Sequence, residues 1–358
     1  MKKHIQPAID LSRLRPDERA PAEQLEEIVS TLLNLAGVAE DHRDVAAEGI
    51  VYGQLRGSKT HGIFHLPTYV KDLRSGAVNP NPDLSVEKEG PAMRRLDGDN
   101  GLGVVVGTRG MDVAIAAAEQ FGIGGCSARQ SNHFGLGAFY VQRAARRGVI
   151  GLAFSNASPT MAPWGGRTPI LGTNPVAMGF PLAGQAPLII DMASSSIARA
   201  RLRKAAEANE EIPDTWALNP EGRPTADARE GMAGTVQPFG GAKGYAIALA
   251  VELLCASLVG DLHGWDIRNL NDDGTTPSGV SHFFLAIDVR PNGGRKPFAA
   301  HAAELAEMIR ESEPAAGNEE VRLPGDRVGA IEADHREHGI PVDDQLIAAF
   351  EATITHLG

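Results

Sequence analysis

The sequence predicts an α/β fold, and three observations lead to this expectation. Short apolar runs of strand length alternate with longer segments in which apolar residues recur every three to four positions. The alternation is clearest mid-chain, where a strand over 125–129 and a helix over 137–147 precede strands over 149–154, 176–180 and 188–191. Apolar residues make up 42% of the chain and charged residues 22%, which favours an ordinary globular protein over a disordered one. At 358 residues, two domains or one elaborate α/β unit are expected.

The N-terminal part is predicted to be helical. Apolar residues at helical spacing place an amphipathic helix over 22–36, and a second helix is expected over 43–55. The second helix leads into 57–62, where two glycines indicate a turn or helix junction that carries His61. Turns at 79–82 and 97–101 bound a strand-like segment over 84–96, and helix returns over 108–121.

Three further helices are predicted toward the C-terminus, over 244–258, 297–312 and 342–357. A strand over 281–289 lies between the first two helices. The loop over 261–279 is rich in Gly, Asp, Asn and Thr and is the best candidate for a mobile or variable insertion.

Charge and cysteine content exclude several classes of partner. The formal net charge is −11 and the basic residues are scattered, so we expect neither nucleic acid nor an anionic membrane surface as a partner. Cys126 and Cys255 are far apart and lack metal-ligand spacing, which argues against a disulfide framework or a zinc knuckle. No run of roughly 18 apolar residues is present and the N-terminus lacks a signal peptide pattern, so a soluble cytoplasmic protein is expected.

Two glycine-rich segments resemble nucleotide-binding motifs. The segment 101–107 follows a polar turn rather than a buried strand, and no acidic residue follows about 20 positions later, so we interpret it as a turn into a helix and not as a Rossmann fingerprint. The segment 240–244 lacks the Ser or Thr of a Walker motif. Its Lys243 at a predicted helix start could hold a phosphate or ribose, and a simple turn is the alternative.

Three histidines are candidates for chemistry. His61 and His65 have the spacing of a His-x-x-x-His metal pair, but no third ligand is nearby, and ordinary helix residues are the alternative. His61 alone could act as a catalytic acid because imidazole titrates near neutral pH. His133 follows Asn132 at the end of a predicted strand, where clefts form, and a structural histidine is the alternative. Downstream, tight turns at 163–167 and 172–175 could cradle phosphates or merely connect strands.

Taken together, these segments resemble the type-2 malate/L-lactate dehydrogenase family, which also includes ureidoglycolate, sulfolactate and diketogulonate dehydrogenases and piperideine-2-carboxylate reductases. The resemblance covers nearly the whole chain. The matching segments, in order, are 60–62 with Pro67 and Tyr69, 97–98, 131–135, 158–175, 191–194, 212–213, 216–217, 222–225, 238–245 and 322–325.

The resemblance implies a non-Rossmann α/β fold with a mixed or mostly antiparallel central sheet, flanking helices and a homodimer with its active site in an interdomain cleft. It implies a helical, substrate-side region over 1–79 and 260–358 and a central NAD(P)-binding region over 80–259. A histidine at the position of His61 or His133 exchanges the proton, with His61 preferred, and Asn132 and His65 face the substrate. NADH or NADPH is the implied cofactor, with contacts at Gly165, Gly166, Arg167, Thr168, Pro169, Ile170, Leu171, Asp191, Met192, Ala193, Lys243, Pro324 and Gly325.

Two positions depart from the family pattern. The arginine expected four residues after the first histidine, which resembles a carboxylate clamp, is His65, and the Ser or Thr near the cofactor is Ala157. Neutral imidazole cannot match the bidentate geometry of guanidinium with a carboxylate, so the substrate class stays open between 2-oxo acids and cyclic imines. The function expected is hydride transfer to or from such a substrate; the rivals are a non-catalytic nucleotide-binding paralogue and a metal-dependent hydrolase.

Overall fold

The computed structural model describes residues 9–58, 60–87, 90–270, 272 and 275–357. Within these residues lie eleven α-helices and eleven strands, and no described helix is both long and apolar enough to cross a membrane. The helices are α1 (Ala22–Leu35), α2 (Glu40–Leu55), α3 (Leu66–Ser75), α4 (Gly103–Phe121), α5 (Gly137–Arg146), α6 (Arg199–Ala208), α7 (Ala228–Ala233), α8 (Ala242–Glu252), α9 (Arg295–Arg310), α10 (Asp326–His338) and α11 (Asp344–Leu357). The strands are β1 (Arg19–Ala20), β2 (Val86–Glu87), β3 (Met93–Asp97), β4 (Ile123–Ser131), β5 (Val149–Ser155), β6 (Val176–Phe180), β7 (Leu188–Met192), β8 (Ala217–Leu218), β9 (Thr235–Val236), β10 (Val280–Asp288) and β11 (Ile340–Pro341).

A seven-stranded sheet forms the centre of the fold, in the order β2-β3-β4-β10-β5-β6-β7. Only β3 and β4 pair in parallel; every other neighbouring pair is antiparallel. The non-Rossmann expectation of a mixed, mostly antiparallel sheet is therefore confirmed. The segment 101–107 opens α4 as expected. Although β3, α4 and β4 form a parallel βαβ unit, β3 is only partly buried and β4 ends without an acidic residue, so the segment lacks two features of a dinucleotide fingerprint.

The central strand β10 is buried on both faces of the sheet because its alternate side chains enter different clusters. Phe284 and Ala286 belong to the main core with α4 and α5, whereas Phe283 packs with Val251 and Cys255. Cys255 lies in a π-helical turn (Leu253–Ser257) that continues α8. A separate apolar cluster unites α6 and α7 with the segment around Met161 and Leu171.

Four helices, α3, α6, α7 and α10, were not predicted from the sequence. α3 begins at Leu66-Pro67, where proline discourages a helix prediction although it suits the first turn. α6 and α10 each bury only two residues, so their sequences carry little helical periodicity. The other predicted strands and helices are confirmed to within a few residues, except that α4 begins five residues before the predicted start. The strand-like segment predicted over 84–96 contains two antiparallel strands, β2 and β3, instead of one.

Candidate functional site

Three histidines from two parts of the chain converge beside the sheet. His61 and His65 lie between α2 and α3, and His133 follows β4. The ring of His133 stacks on that of His61 with centroids 5.6 Å apart and meets His65 edge-on at 5.1 Å. Most of each histidine is buried, but all three residues keep part of their surface exposed.

Close backbone contact fixes the position of His61. The Cβ that an alanine would add at Gly53 of α2 would lie 2.7 Å from the carbonyl oxygen of His61. Gly62 has a φ of 96°, and a Cβ there would lie 2.6 Å from the carbonyl oxygen of Ile50. Only glycine fits at both positions, and the turn carrying His61 therefore lies directly on α2.

The segment of His133 is held in a similar way. A Cβ on Gly103, the first residue of α4, would lie 2.1 Å from the carbonyl oxygen of Asn132. The Asn132 amide nitrogen donates to the carbonyl oxygens of Gly101, at 2.8 Å, and Asn100, at 3.1 Å. Its amide oxygen accepts from the backbone of Ser278 at 3.4 Å. Asn132 thus fixes the chain next to His133, and its direct contact with substrate stays a prediction.

Each histidine has one defined polar neighbour. The hydroxyl of Tyr69 lies 2.7 Å from Nδ1 of His133, and the hydroxyl of Thr60 lies 3.0 Å from Nδ1 of His61. Nε2 of His65 lies 2.8 Å from the carbonyl oxygen of Thr60. Because a carbonyl oxygen only accepts, Nε2 of His65 carries the proton, and its neutral ring has only an acceptor at Nδ1.

The surroundings keep these imidazoles neutral at pH 7. Burial lowers the pKa of His61 to about 4, and the charge of a protonated His65 would lower it further. Burial also lowers the pKa of His133 well below its ordinary value, and the charges of the neighbouring imidazoles, when protonated, lower it further. The pKa of His65 is lowered by burial as well, against the effect of its hydrogen bond to Thr60. A neutral imidazole can accept a proton from a hydroxyl, as oxidation of an alcohol requires.

A fourth histidine supports the cluster from inside the sheet. His282 of β10 is fully buried, with ring nitrogens 2.8 Å from the Ser131 hydroxyl and 3.0 Å from the Ser155 hydroxyl. Its ring stacks on Phe134 at 4.8 Å, next to His133. Sequence reasoning missed His282 and assigned no role to Tyr69, although a histidine inside an apolar strand and the matched Tyr69 were the available signals.

Backbone hydrogen bonds bring most of the predicted cofactor residues to one surface. The amide of Ser194 donates to the carbonyl oxygen of Thr173 at 2.8 Å, and the amide of Phe239 donates to that of Ser194 at 3.0 Å. The bonded residues flank three segments that are predicted to contact the cofactor: the 165–171 turn, 191–193 and the start of α8 with Lys243. The bonds therefore hold these segments next to one another. Residues 164–169, Asp191, Met192 and Lys243 are exposed there.

Asp191 lies in β7, and the 324–325 turn packs against the backbone of the same strand. The Asp191 carboxylate accepts from the backbone of Ala138 at 2.8 Å, in the first turn of α5. A Cβ on Gly325 would lie 2.4 Å from the carbonyl oxygen of Ile189. A cleft of about 410 Å³ opens beside Pro324 and Gly325, and its lining includes Arg56, Arg146, Arg310 and Arg336, each paired with Asp326 or Glu332 of the same cleft. The cleft lining thus holds four arginines against two carboxylates, and the cofactor contacts stay a prediction.

The possible metal pair has no third ligand in the structure. No group of three or more His, Cys, Asp or Glu side chains in the described part of the chain is arranged to hold a metal ion.

Comparison with known proteins gives a match over almost the entire chain. Residues 20–351 match the family model described as malate/L-lactate dehydrogenase. The L-sulfolactate dehydrogenase of Methanocaldococcus jannaschii is 35% identical over 94% of this chain and 96% of that protein. The (2R)-3-sulfolactate dehydrogenase (NADP(+)) of Chromohalobacter salexigens is 37% identical, over 88% and 92%. The ureidoglycolate dehydrogenase (NAD(+)) of Escherichia coli O157:H7 is 29% identical, over 90% and 92%.

Superposition on two solved enzyme structures shows the same fold. The sulfolactate dehydrogenase from Methanocaldococcus jannaschii superimposes with a TM-score of 0.88, covering 95% of this chain and 97% of that one at 34% identity. The Δ1-piperideine-2-carboxylate reductase from Pseudomonas syringae superimposes with a TM-score of 0.84, covering 94% and 99% at 30% identity.

Proposed function

The chain belongs to the malate/L-lactate dehydrogenase family and is therefore an NAD(P)-dependent oxidoreductase, and we propose that His61 and His133 form its proton-exchange site. The substrate is a small 2-hydroxy or 2-oxo acid or a cyclic 2-imino acid, the classes named for the relatives. The observation that carries the proposal is the convergence of His61 and His133, whose rings stack 5.6 Å apart and whose residues are both partly exposed.

His61 is the proposed proton donor and acceptor. In reduction, C2 of the substrate receives hydride while its oxygen or nitrogen takes a proton from the imidazole; oxidation is the reverse. The reduced nicotinamide supplies that hydride. The neutral His61 is ready to accept the proton of a 2-hydroxy acid, with Thr60 orienting Nδ1. An anionic substrate group bound beside the ring would raise the pKa of His61 and so favour the proton-donating form.

The test compares variants on a panel of 2-oxo acids and cyclic imines, with both NADH and NADPH. His61→Ala is expected to lower kcat by roughly 100-fold or more, because a positioned proton donor contributes about that much. Cofactor binding, followed by nicotinamide fluorescence, should persist. His301→Ala on the exposed face of α9 is the matched control and should retain full activity.

Full activity of His61→Ala together with inactivity of His133→Ala would move the role to His133. Cofactor binding by the wild-type chain without turnover of any panel member would favour the non-catalytic alternative.

The cofactor is proposed to lie along the surface formed by 165–171, 191–193 and Lys243, with its adenosine end toward 324–325. Three observations support this: Lys243 is exposed at a helix start, Asp191 is exposed, and the lining of the adjoining cleft contains more arginines than carboxylates. Lys243→Ala should raise the KM for cofactor about tenfold while kcat falls less, because the ammonium contributes to binding. Lys296→Ala on α9 is the control, and an unchanged cofactor KM in Lys243→Ala would contradict the assignment.

We also propose a cytoplasmic homodimer. Large apolar side chains between 249 and 265 are exposed on and after α8, namely Leu249, Leu253, Leu258, Leu262 and Trp265. Several large exposed apolar side chains within one stretch of chain are typical of an interface. Light scattering should give twice the chain mass, and Leu253→Asp should shift the protein toward the monomer. The same substitution at Met308, an exposed apolar residue on α9, is the control.

A further inference from the structure

Three arginines share one carboxylate in the cleft beside the 324–325 turn, which we call the 324–325 cleft. Arg56 donates to Glu332 at 2.8 Å, and both side chains are buried. Arg336 donates to the same carboxylate at 2.9 and 3.1 Å. Arg146 approaches it only to 3.7 Å, which is longer than a hydrogen bond. Three positive charges therefore surround one negative charge.

The carboxylate of Glu332 is ionised and already accepts from several donors. Burial opposes its ionisation, but the hydrogen bond from Arg336 and the charge of Arg56 keep its pKa below the ordinary value. The buried amide of Gln142 adds contacts at 3.3 and 3.4 Å. Because the two oxygens of a carboxylate offer about four acceptor positions, Glu332 has little capacity left for Arg146.

The remaining charges of the cleft do not restore the balance. Arg310 donates to both carboxylate oxygens of Asp326, at 2.8 and 3.2 Å, so these two residues neutralise each other. The complete lining holds four arginines and two carboxylates, which leaves an excess of two positive charges around Glu332. Like charges held together repel each other, and a bound anion would remove that cost.

The cleft can admit a ligand of nucleoside size. Its volume is about 410 Å³, and its lining includes the apolar side chains of Leu182, Pro187 and Leu188. The side chains of Arg146 and Arg336 are 54% and 44% exposed, so a ligand can reach both guanidinium groups. Apolar walls with a few polar groups are typical of small-molecule sites, and a guanidinium matches the oxygens of a phosphate.

We propose that the 324–325 cleft binds the adenosine end of NADPH and that Arg146, assisted by Arg336, receives its 2′-phosphate. This inference rests on the proposed cofactor surface and deepens it, because the 2′-phosphate is the group that distinguishes NADPH from NADH. A phosphate monoester carries nearly two negative charges at pH 7, which matches the excess of positive charge in the cleft. The chain accordingly uses NADPH in preference to NADH.

Arg147 provides a matched control. It directly follows Arg146, its side chain is 45% exposed, and it pairs with Glu119 at 3.3 Å. Arg146 and Arg336 also line a neighbouring cleft of about 400 Å³, and Arg147 lines that second cleft but not the 324–325 cleft. A comparison of Arg146→Gln with Arg147→Gln therefore tells which of the two clefts holds the anion.

The experiment measures binding by calorimetry with two nucleotides that differ only in the 2′-phosphate, adenosine 2′,5′-bisphosphate and 5′-AMP. The wild type should bind the bisphosphate about tenfold more tightly or better, because charge-assisted hydrogen bonds are gained. Arg146→Gln should lose most of this preference, and Arg146→Lys should keep part of it, since the charge remains without the fork. Arg147→Gln should keep the full preference.

This binding measurement requires no turnover, so it tests the inference separately from the proposed oxidoreductase function. With any substrate that is turned over, Arg146→Gln should raise the KM for NADPH about tenfold, while the KM for NADH stays within about twofold. Equal binding of the two nucleotides to the wild type, an unchanged preference in Arg146→Gln, or equal losses in Arg146→Gln and Arg147→Gln would overturn the inference. Binding of inorganic phosphate that depends on Arg146, combined with equal binding of the two nucleotides, would assign the cleft to free phosphate and also overturn it.

Discussion

The buried histidines make the folded protein sensitive to acid, and the size of this effect follows from two of them. At pH 7 the imidazoles of His61 and His282 are neutral in the folded state. Burial lowers the pKa of His61 from 6.5 to about 4 and that of His282 from 6.5 to about 3. As the pH falls below 6.5, the unfolded chain binds protons at these residues before the folded protein does. The free energy of unfolding therefore decreases as the pH falls from 6.5 toward 4.

The magnitude can be worked out for pH 5. There each unfolded imidazole is mostly protonated while each folded one is mostly neutral, so each residue destabilises the folded state by about 2 kcal/mol relative to pH 7. Together they remove about 4 kcal/mol, a large part of the roughly 5–15 kcal/mol typical of a folded protein. His65 and His133, whose pKa values are also lowered, act in the same direction.

Urea unfolding at pH 7, 6 and 5, followed by tryptophan fluorescence and tested for reversibility, measures this loss. His282→Gln can keep hydrogen bonds to Ser131 and Ser155 but cannot titrate, so it should lose about 2 kcal/mol of the pH dependence. His301→Gln, at an exposed position on α9, should keep the wild-type dependence. A wild-type stability that changes by less than about 1 kcal/mol between pH 7 and 5 would refute the reasoning.

Two other predictions concern the contacts around the histidines. Tyr69→Phe removes the hydroxyl that lies 2.7 Å from Nδ1 of His133. It should lower kcat/KM about tenfold, because a partly buried hydrogen bond is lost. Unchanged steady-state kinetics at pH 7.5 would show that the hydroxyl does not position the ring. Asp72→Asn breaks the buried ion pair between Asp72 of α3 and Arg268, 2.5 Å apart, and should lower the free energy of unfolding by about 3 kcal/mol, because Arg268 is left buried without its counter-charge. Asp44→Asn, at an exposed residue, is the control in urea unfolding, and equal losses in the two variants would contradict the importance of the pair.

Local sequence patterns were enough to predict most of the fold. Apolar alternation and turn residues located the strands and the larger helices because these elements bury one or both faces. α6 and α10 were missed since each buries only two residues, and such helices depend on neighbours distant in sequence. The order of strands in the sheet, with β10 inserted between β4 and β5, is a long-range property that no local pattern contains.

Only part of the site could be predicted from the sequence, again because long-range contacts are not visible in local patterns. Polar residues next to glycines indicated His61, His133 and Lys243. The contact of Tyr69 with His133 joins residues 64 positions apart, and the stacking of His282 on Phe134 is also long-range, so spacing alone cannot show either contact.

The loop over 261–279 shows a related contrast between composition and contacts. Its composition predicted a mobile or variable insertion, yet its described residues contact three elements of the site. Asp261 accepts from the backbone of Gln130 at 2.9 Å, Ser278 donates to Asn132, and Arg268 pairs with α3. Polar residues in such a loop are compatible with anchoring when their partners lie elsewhere in the chain.

α8 connects the proposed cofactor surface with the exposed apolar patch. Lys243 in its first turn faces the proposed cofactor surface, and Leu249 and Leu253, within the next three turns, belong to the exposed apolar patch. If a second copy covers that patch, association orders the helix that holds Lys243, and the two equilibria become linked. Cofactor should then bind more weakly on dilution and strengthen the dimer in return, by the same factor in both directions. The affinity of this protein for NAD(P)H would then depend on its own concentration in the cell.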